Sequence, residues 1–474
     1  MKNHPVIIQG GMGAGVSHWV LAKAVSRMGQ LGVVSGTALD TIFVRRLQNG
    51  DPGEHLRRAL AHFPVQEIAQ KILKSYFISG GKAKGAPFRL LPMYTATPGI
   101  THQAVTIVAN FAEVFLAKEG HEGAVGINYL EKIQLPLLAS LYGAMLGGVA
   151  YVLMGAGIPR EIPGVLDRLA HHQDVSITLH VEGASATDDF QLHFNPKQVI
   201  PHELPPLPRP YFFPIIASST LAAALAKKAT GKIDGFVIEG PTSGGHNAPP
   251  RGPLRLSDQG EPVYGPKDEV DLDAVKALGL PFWLAGSYGS PEQLQHALQL
   301  GASGIQVGTA FAYCRESGLT EEIKSALLQK VMRGEGKVFT DPVASPAGFP
   351  FKVVQLENSI SEPEVYAARP RVCDLGFLRH PYKKEDGSLG YRCPAESVNT
   401  YVKKGGRIEE TVGRKCLCNG LLATIGLSQH QKDGYLEPPI VTSGDELKKI
   451  ARFLKNGETS YSAADVLQTL LKGV

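Results

Sequence analysis

The chain has few cysteines, very few tryptophans, no concentration of charge of one sign and no long apolar run. Its 474 residues include five Cys and two Trp. Five cysteines in an intracellular chain of this length are expected to be free, metal-bound or catalytic rather than disulfide-linked. The 48 basic and 44 acidic residues are scattered along the sequence. This distribution excludes the basic stripe with which a protein follows nucleic acid.

The hydropathy of the sequence also predicts neither a targeting segment nor a membrane-spanning segment. The opening "MKNHPVIIQGGMG" contains no apolar core of a signal peptide, and no uninterrupted apolar run reaches the ~18 residues of a membrane span. Hydrophobic residues make up 43% and charged residues 19% of the chain, which is typical of a globular protein with a sizeable core. We therefore expect a cytoplasmic protein that acts on a small molecule, with no membrane or nucleic acid partner.

Short apolar runs alternate with segments of helical periodicity through the first 310 residues, a pattern that favours a parallel sheet wrapped by helices. The runs are "VIIQ" (6–9), "LGVVSG" (31–36), "GAVGIN" (123–128), "AYVLMG" (150–155), "PIIASS" (214–219), "GFVIEG" (235–240), "FWLAG" (282–286) and "GIQVG" (304–308). Eight such units predict a (β/α)8 TIM barrel, whose usual size is ~250 residues plus insertions. An open doubly wound sheet in two domains is the alternative.

The domain prediction places the barrel at residues 1–318 and a C-terminal extension at 319–474, which holds four of the five cysteines. Insertions are expected at about 51–102 and 174–212, the second opening with a hairpin over 174–196. Three helical segments, "SHWVLAKAVSRMG", "STLAAALAKKATG" and "SPEQLQHALQLGA", each open on a Ser that can cap the first turn and close at or near a Gly.

Glycine-rich turns follow several of the predicted strands. In a barrel of parallel strands these turns form the mouth, and the turns after strands seven and eight are the usual phosphate site. "LAGSYGS" and "QVGTAF" therefore make Gly286, Ser287, Gly308 and Thr309 candidates for a phosphate cradle. The first turn, "QGGMGAG", superficially matches a dinucleotide fingerprint. However, no acidic residue ends the next strand, "VVSGTAL", which argues against a Rossmann unit.

The stretch "IEGPTSGGHNAP" (238–249) places two glycines and a histidine directly after a buried strand. Gly244 and Gly245 allow the backbone to approach a flat ligand, and His246 would then stand over the substrate. An imidazole with an ordinary pKa near ~6.5 can accept or donate a proton there. The alternative is a histidine that only caps a turn or fills the mouth.

Four segments together resemble the nitronate monooxygenase (2-nitropropane dioxygenase) family and the related FMN-dependent enoyl-ACP reductases. They are "GGMG…LAKAVSRMGQLGVVSG", "GINYLE", "IDGFVIEGPTSGGHNAP" and "FWLAGSYGSPEQLQHALQLGASGIQVGTAF", and the resemblance covers roughly residues 5–315. It implies an FMN-binding barrel in which His246 is the catalytic residue. The cofactor-binding residues expected on this basis are Gly11, Met12, Asn128, Glu239, Gly244, Gly245, Gly286, Ser287, Gln306, Val307, Gly308 and Thr309.

Two positions depart from the family pattern. Ser287 replaces a Gly of the usual "A-G-G-I" and can offer a hydroxyl to the phosphate. Thr242 stands where the family has a Glu, and the nearest acid is Glu239. The substrate side of the pocket is therefore not specified by the resemblance.

The resemblance implies oxidation of nitroalkanes or nitronates with O2. The alternative is an enoyl-thioester reductase using NAD(P)H, of the kind that also acts in trans in polyketide or polyunsaturated fatty acid synthesis. A third reading, of another class, is a non-catalytic flavin-binding partner of a larger assembly. A homodimer is expected by analogy with barrels of this class.

Four of the five cysteines lie close together in the sequence. Cys373, Cys393, Cys416 and Cys418 could hold zinc in a tetrahedral site or an iron-sulfur cluster, although their spacing is not the paired CxxC of a zinc ribbon. The alternative is four reduced cysteines that pack as small apolar groups. Cys314, just after the eighth strand, is expected to be a core residue.

Overall fold

Eight parallel strands close into a barrel in the computed structural model, which describes residues 4–455 and 457–472. The strands within these residues are β1 Ile7–Gln9, β2 Leu31–Ser35, β3 Val125–Leu130, β4 Tyr151–Gly155, β5 Val175–Thr178, β6 Gln191–Phe194, β7 Tyr211–Ile216, β8 Phe236–Glu239, β9 Phe282–Ala285, β10 Gly304–Val307, β11 Val338–Asp341, β12 Phe351–Val354, β13 His380–Lys383 and β14 Leu389–Arg392. Around the barrel the order is β1, β2, β3, β4, β7, β8, β9 and β10, which pairs with β1 again. The predicted TIM barrel is confirmed.

The predicted strands and the hairpin are all present, but two strands are shifted along the chain: β3 spans Val125–Leu130 where 123–128 was expected, and β7 spans Tyr211–Ile216 where 214–219 was expected. β7 begins at Tyr211, three residues before the apolar run that was expected to form it, because the Tyr211 amide donates to the Ala150 carbonyl at 2.9 Å. The hairpin consists of β5 and β6, antiparallel, with Val175 opposite Phe194.

Helices follow most of the barrel strands and cover the outside of the barrel. They are α1 Trp19–Ser26, α2 Leu39–Gln48, α3 His55–Ala61, α4 Gln66–Tyr76, α5 Ile100–Lys118, α6 Leu137–Leu146, α7 Ile162–Leu169, α8 Pro196–Val199, α9 Ser219–Lys228, α10 Leu272–Lys276, α11 Pro291–Gln299, α12 Thr309–Ala312, α13 Glu321–Met332, α14 Pro363–Ala367, α15 Val398–Lys403, α16 Leu417–Ala423 and α17 Ala463–Leu470. The first insertion supplies α3 and α4, which pack on the long helix α5.

The serine caps were predicted correctly for one helix of three. Ser290 accepts from the Gln293 amide and caps α11. At α9 the cap is Ser218, one residue earlier than predicted. At α1 the cap is His18, because the Ser17 hydroxyl is already bonded to the Met12 amide and the Gly10 carbonyl.

Helix α5 is 19 residues long and apolar enough to cross a bilayer by composition alone. Most of its residues are buried, and it packs against α1, α2 and α6. A helix that is apolar on nearly all sides and enclosed by other helices is a core element. Its apolar composition is therefore explained by burial inside the protein.

Large side chains fill the N-terminal half of the barrel interior. Phe213 and Trp283 stack with ring centroids 4.8 Å apart, and the Trp283 indole donates to the Pro5 carbonyl at 2.9 Å. Ile8, Leu31, Val33, Tyr151, Leu153, Val237 and Ala285 complete this buried cluster. Because this end is packed solid, a ligand can enter only at the C-terminal ends of the strands.

The chain beyond the barrel forms two antiparallel strand pairs, β11 with β12 and β13 with β14, together with several helices. It is fixed to the barrel helices by buried polar contacts. The Arg45 guanidinium of α2 is fully buried and donates to the Leu427 carbonyl at 2.6 Å. The boundary near residue 318 stays a prediction, and the contacts below show that residues on both sides of it line the same cavity.

Barrel closure leaves no room for a side chain at Gly304 in β10. A Cβ there would lie 1.8 Å from the Val6 carbonyl oxygen, so the backbone must move. We expect Gly304→Ala to lower the free energy of unfolding in urea by about 1–3 kcal/mol. Gly265→Ala is the control, because its backbone is extended and nothing lies within 4 Å of the added Cβ. If Gly304→Ala and Gly265→Ala lose the same free energy of unfolding, crowding at β10 is not the cause of the destabilisation.

Candidate functional site

A deep cavity opens at the C-terminal ends of the barrel strands, with an empty volume of about 1460 Å³ including its open mouth. Its walls come from the turns after β1, β2, β4, β8, β9 and β10, from the end of β3 and from the C-terminal extension. Every residue predicted for the site lines it: Gly11, Met12, Asn128, Glu239, Gly244, Gly245, His246, Gly286, Ser287, Gln306, Val307, Gly308 and Thr309. The structure thus brings the predicted set together, while the role of each residue stays a prediction.

The turn after β1 lines the cavity with glycine backbone. The Gly10 amide donates to the Val307 carbonyl at 2.9 Å, and the buried Ser17 hydroxyl ties the turn together by bonding the Gly10 carbonyl at 3.0 Å. A side chain at Gly11 is excluded because its Cβ would lie 2.4 Å from the Cβ of Asn128. The amide oxygen of Gln306, which also lines the cavity, is buried without a hydrogen-bond partner among the described residues. A buried acceptor of this kind can accept a hydrogen bond from a polar group at the edge of a ligand.

The turn after β9 is built for close approach of an anion. Gly286 has φ +94° and Ser287 has φ +60°, a conformation that favours glycine, as in the family pattern. A Cβ at Gly286 would lie 2.9 Å from each of two hydroxyl oxygens, those of Thr242 and Ser243. Two hydroxyls and a glycine backbone therefore converge on one small space. This chemistry suits a phosphate group.

The His246 ring is partly buried beside the cavity and contacts residues of the extension. Its Nε2 is 2.7 Å from the Ser345 hydroxyl oxygen, which also accepts from the Ala347 amide at 3.1 Å. Its ring meets Phe351 edge-on, with centroids 4.9 Å apart. Burial lowers the pKa of His246 to about 4. The imidazole is therefore neutral near pH 7 and can accept a proton.

Glu239 ends β8 and is the acid that lies nearest to the predicted catalytic segment in the sequence. It lines the same cavity as His246, and burial raises its pKa to about 7. A carboxyl group with this pKa exchanges a proton near neutral pH, which is a property of catalytic acids and bases. Glu239 is therefore a second candidate for proton transfer, in addition to its predicted cofactor role.

The extension contributes cavity residues that the sequence did not reveal. Residues 440–446, which we call the C-terminal strap, cross the mouth over the turns after β8 and β10. The Gly245 amide donates to the Thr442 hydroxyl at 2.8 Å, and the Gly444 amide donates to the Thr309 hydroxyl at 3.0 Å. Leu421, Thr424 and Phe351 also line the cavity. No local motif marks these residues, because their role depends on long-range packing.

A second, wider cleft adjoins the first and has an empty volume of about 1720 Å³ including open solvent. The two share Ala156, Ile215, Glu239 and His246, so the two titratable groups lie at their junction. Charged residues of both signs line the wider cleft: Glu131, Lys132, Arg160, Glu161, Arg251 and Asp268. A ligand in the first cavity and an extended substrate in the second would therefore meet at His246 and Glu239.

The structure does not support the predicted zinc or iron-sulfur site. Cys373, Cys393, Cys416 and Cys418 are free thiols around one small cavity, but no three His, Cys, Asp or Glu side chains within residues 4–455 and 457–472 are arranged to hold a metal ion. Burial raises the pKa of Cys373 to about 11 and that of Cys416 to about 12. Burial therefore favours protonated thiols, whereas a metal needs thiolates. Cys314 is a buried core residue, as predicted.

Residues 209–345 match the family model described as nitronate monooxygenase. This segment contains β7 to β10, His246 and both predicted phosphate turns. A probable nitronate monooxygenase of Bacillus subtilis (strain 168) is 34% identical over 112 residues, which are 24% of this chain and 30% of that protein. A nitronate monooxygenase of Pseudomonas aeruginosa (strain PAO1) is 33% identical over 113 residues, with the same two shares.

A third relative has a different described activity. It is the (3aS,4S,5R,7aS)-5-hydroxy-7a-methyl-1-oxo-octahydro-1H-indene-4-carboxyl-CoA dehydrogenase of Mycobacterium tuberculosis (strain H37Rv), 29% identical over 143 residues, which are 30% of this chain and 36% of that protein. The chain thus spans about a third of the length of these curated relatives. Among solved structures, FabK from Thermotoga maritima aligns with 99% of this chain and 92% of that chain at 16% identity, with a TM-score of 0.47.

The strand order shows the barrel fold directly, and the sequence matches show the similarity to nitronate monooxygenases. The matched segment carries the turns after β8, β9 and β10 that line the cavity, and the matching proteins include four described as nitronate monooxygenases or probable ones. The resemblance that the motifs indicate is confirmed over this segment: residues 209–345 of the chain are similar to the nitronate monooxygenase family.

Proposed function

We propose that this protein is an FMN-dependent oxidoreductase that oxidises nitroalkanes or nitronates with O2. The observation that carries the proposal is a single cavity with hydroxyl groups at its glycine turns and a neutral, partly buried imidazole at its junction with an open cleft. The residues of the cavity fit FMN in three respects: glycine backbone that lines it at Gly10 and Gly11, a Gln306 amide oxygen without a partner among the described residues, and two hydroxyls close to Gly286.

Within this proposal the protein supplies position and proton transfer, and bound FMN supplies the redox chemistry. Gly286, Ser287, Gly308 and Thr309 would hold the phosphate, while Gly11, Met12, Asn128 and Gln306 would contact the ring system. Gly244 and Gly245 would let the chain pass close to the ring.

His246 would remove the proton from the substrate carbon that carries the nitro group. Its Nε2 is engaged by Ser345, and in the part of the chain that the structure describes Nδ1 has no hydrogen-bond partner. Nδ1 can therefore take the proton, which leaves the nitronate anion and an imidazolium. The close Ser345 hydroxyl oxygen can stabilise the imidazolium by accepting from Nε2–H.

The second candidate function, an enoyl-thioester reductase using NAD(P)H, is favoured by the wider cleft. An empty volume of about 1720 Å³ beside His246 exceeds what a small nitroalkane needs and suits an extended acyl chain. Glu239, with a pKa raised to about 7, could donate the proton that such a reduction requires. O2 uptake with a nitronate, measured against NAD(P)H consumption with an enoyl thioester, separates the two functions.

Loss of the imidazole should affect proton removal and leave later chemistry nearly intact. We expect His246→Asn to lower kcat/KM for a neutral nitroalkane by about 10²–10⁴-fold, because general-base catalysis contributes this much. The preformed nitronate anion needs no proton removal, so its oxidation should change far less. Oxygen uptake with both substrates, at equal FMN content, measures this difference. His171→Asn, at an exposed histidine outside the cavity, is the control.

Three results would contradict this assignment. Unchanged turnover of the nitroalkane by His246→Asn would remove His246 from the mechanism. Equal losses with the nitroalkane and the nitronate would show that the ring is needed for binding rather than for proton removal. Bound FMN without turnover of a nitroalkane, nitronate or enoyl thioester would support the non-catalytic alternative.

The pH dependence should identify the base. A group that must be deprotonated gives a rate that rises with pH and becomes level above its pKa. If His246 is the base, kcat/KM for the nitroalkane should rise through about pH 4 and stay level across neutral pH, since the pKa of His246 is about 4. Glu239→Gln should keep this profile. A rise centred near pH 7 that disappears in Glu239→Gln would instead make Glu239 the base, since its pKa is about 7.

A further inference from the structure

The C-terminal strap lies on the turns that would hold the phosphate. The Gly444 amide donates to the Thr309 hydroxyl at 3.0 Å, and the Asp445 amide donates to the Thr242 carbonyl at 3.0 Å. A Cβ added at Gly244 would come within 2.7 Å of the Gly444 nitrogen, so strap and turn are in direct backbone contact. The strap therefore covers the phosphate end of the cavity, which the barrel leaves open.

Ser443, at the centre of the strap, carries a hydroxyl suited to an anion. The residue is buried and lines the cavity, and within the described chain its Oγ forms no hydrogen bond of normal geometry, although the buried Tyr313 hydroxyl lies close to it. A buried hydroxyl without a partner is costly, which makes such groups informative about missing ligands. A serine hydroxyl rotates freely about its C–O bond and can donate to a phosphate oxygen.

We propose that the C-terminal strap is part of the ligand site, with Ser443 donating to the phosphate of a flavin mononucleotide. This inference rests on the proposed function, because the flavin nucleotide is the ligand assigned there. It adds a phosphate contact from outside the barrel and makes docking of the strap and binding of the phosphate mutually stabilising. The extension then contributes to ligand affinity rather than forming a separate module.

The test compares FMN with riboflavin, which has the same ring system and no phosphate. Binding to flavin-free protein is followed by the change in flavin fluorescence. We expect Ser443→Ala to raise the Kd for FMN about tenfold or more, as for loss of a hydrogen bond to a charged group, and to leave the Kd for riboflavin within about twofold. Ser317→Ala is the matched control, because it removes another buried hydroxyl that has no partner among the described residues and does not line the cavity.

The outcomes separate the two proposals. An unchanged Kd for FMN in Ser443→Ala would overturn the role of Ser443 while the proposed function stands. A similar rise for FMN and riboflavin would also overturn it, because the contact would then not be with the phosphate. If the unaltered protein binds neither flavin, the proposed function fails, and the assignment of Ser443 fails with it.

A second variant tests the docking of the strap independently of Ser443. Thr442→Val keeps the side-chain shape but removes the acceptor for the Gly245 amide. We expect a higher Kd for FMN, and we expect FMN to slow hydrogen exchange at residues 440–446 less than in the unaltered protein. Thr411→Val, a buried extension residue with one hydroxyl hydrogen bond away from the cavity, is the control. If Thr442→Val binds FMN as tightly as the unaltered protein, and FMN protects residues 440–446 equally from hydrogen exchange in both, the coupling between strap docking and phosphate binding is overturned.

Discussion

Closure of the barrel between β1 and β10 is the constraint on which the site depends. Ile7 is paired with Ile305 and Gln9 with Val307, so the first and last barrel strands lie side by side although nearly 300 residues separate them in the chain. This pairing places the turn at Gly11 beside the turn at Gly308. Because parallel strands all end at the same rim, closure also gathers the turns after β8 and β9 around one cavity.

Burial at this rim sets the pKa values of His246 and Glu239. Withdrawal from water disfavours the charged form of each, which lowers the pKa of His246 and raises that of Glu239. The pair is therefore neutral over a range below pH 7, with a free base on one residue and a proton on the other. A nitroalkane oxidation would use the base, whereas reduction of an enoyl thioester would use the acid. The same site can thus serve either proposed reaction.

The extension changes what the barrel can do at its open end. Ser345 bonds to the His246 ring, and the C-terminal strap lies on the turns that are predicted to hold a phosphate. Both segments come from beyond the eighth barrel strand and add hydrogen-bonding groups at the cavity. A shorter chain with the same barrel would lack both contacts. Under the proposed function, the extension would therefore take part in ligand binding and proton transfer.

The amino-acid sequence by itself determined the strand–helix alternation, the eight barrel strands and the full set of predicted cavity residues, because these depend on local periodicity and on glycine turns at strand ends. The shifted start of β7 and the His18 cap depended on which neighbour took each hydrogen bond. The roles of Ser345, the strap and the four cysteines were decided only by tertiary structure. Their partners lie far away in the chain, and the spacing of residues carries no information about burial. Burial lowers the pKa of His246, raises that of Glu239 and keeps the four cysteines as thiols.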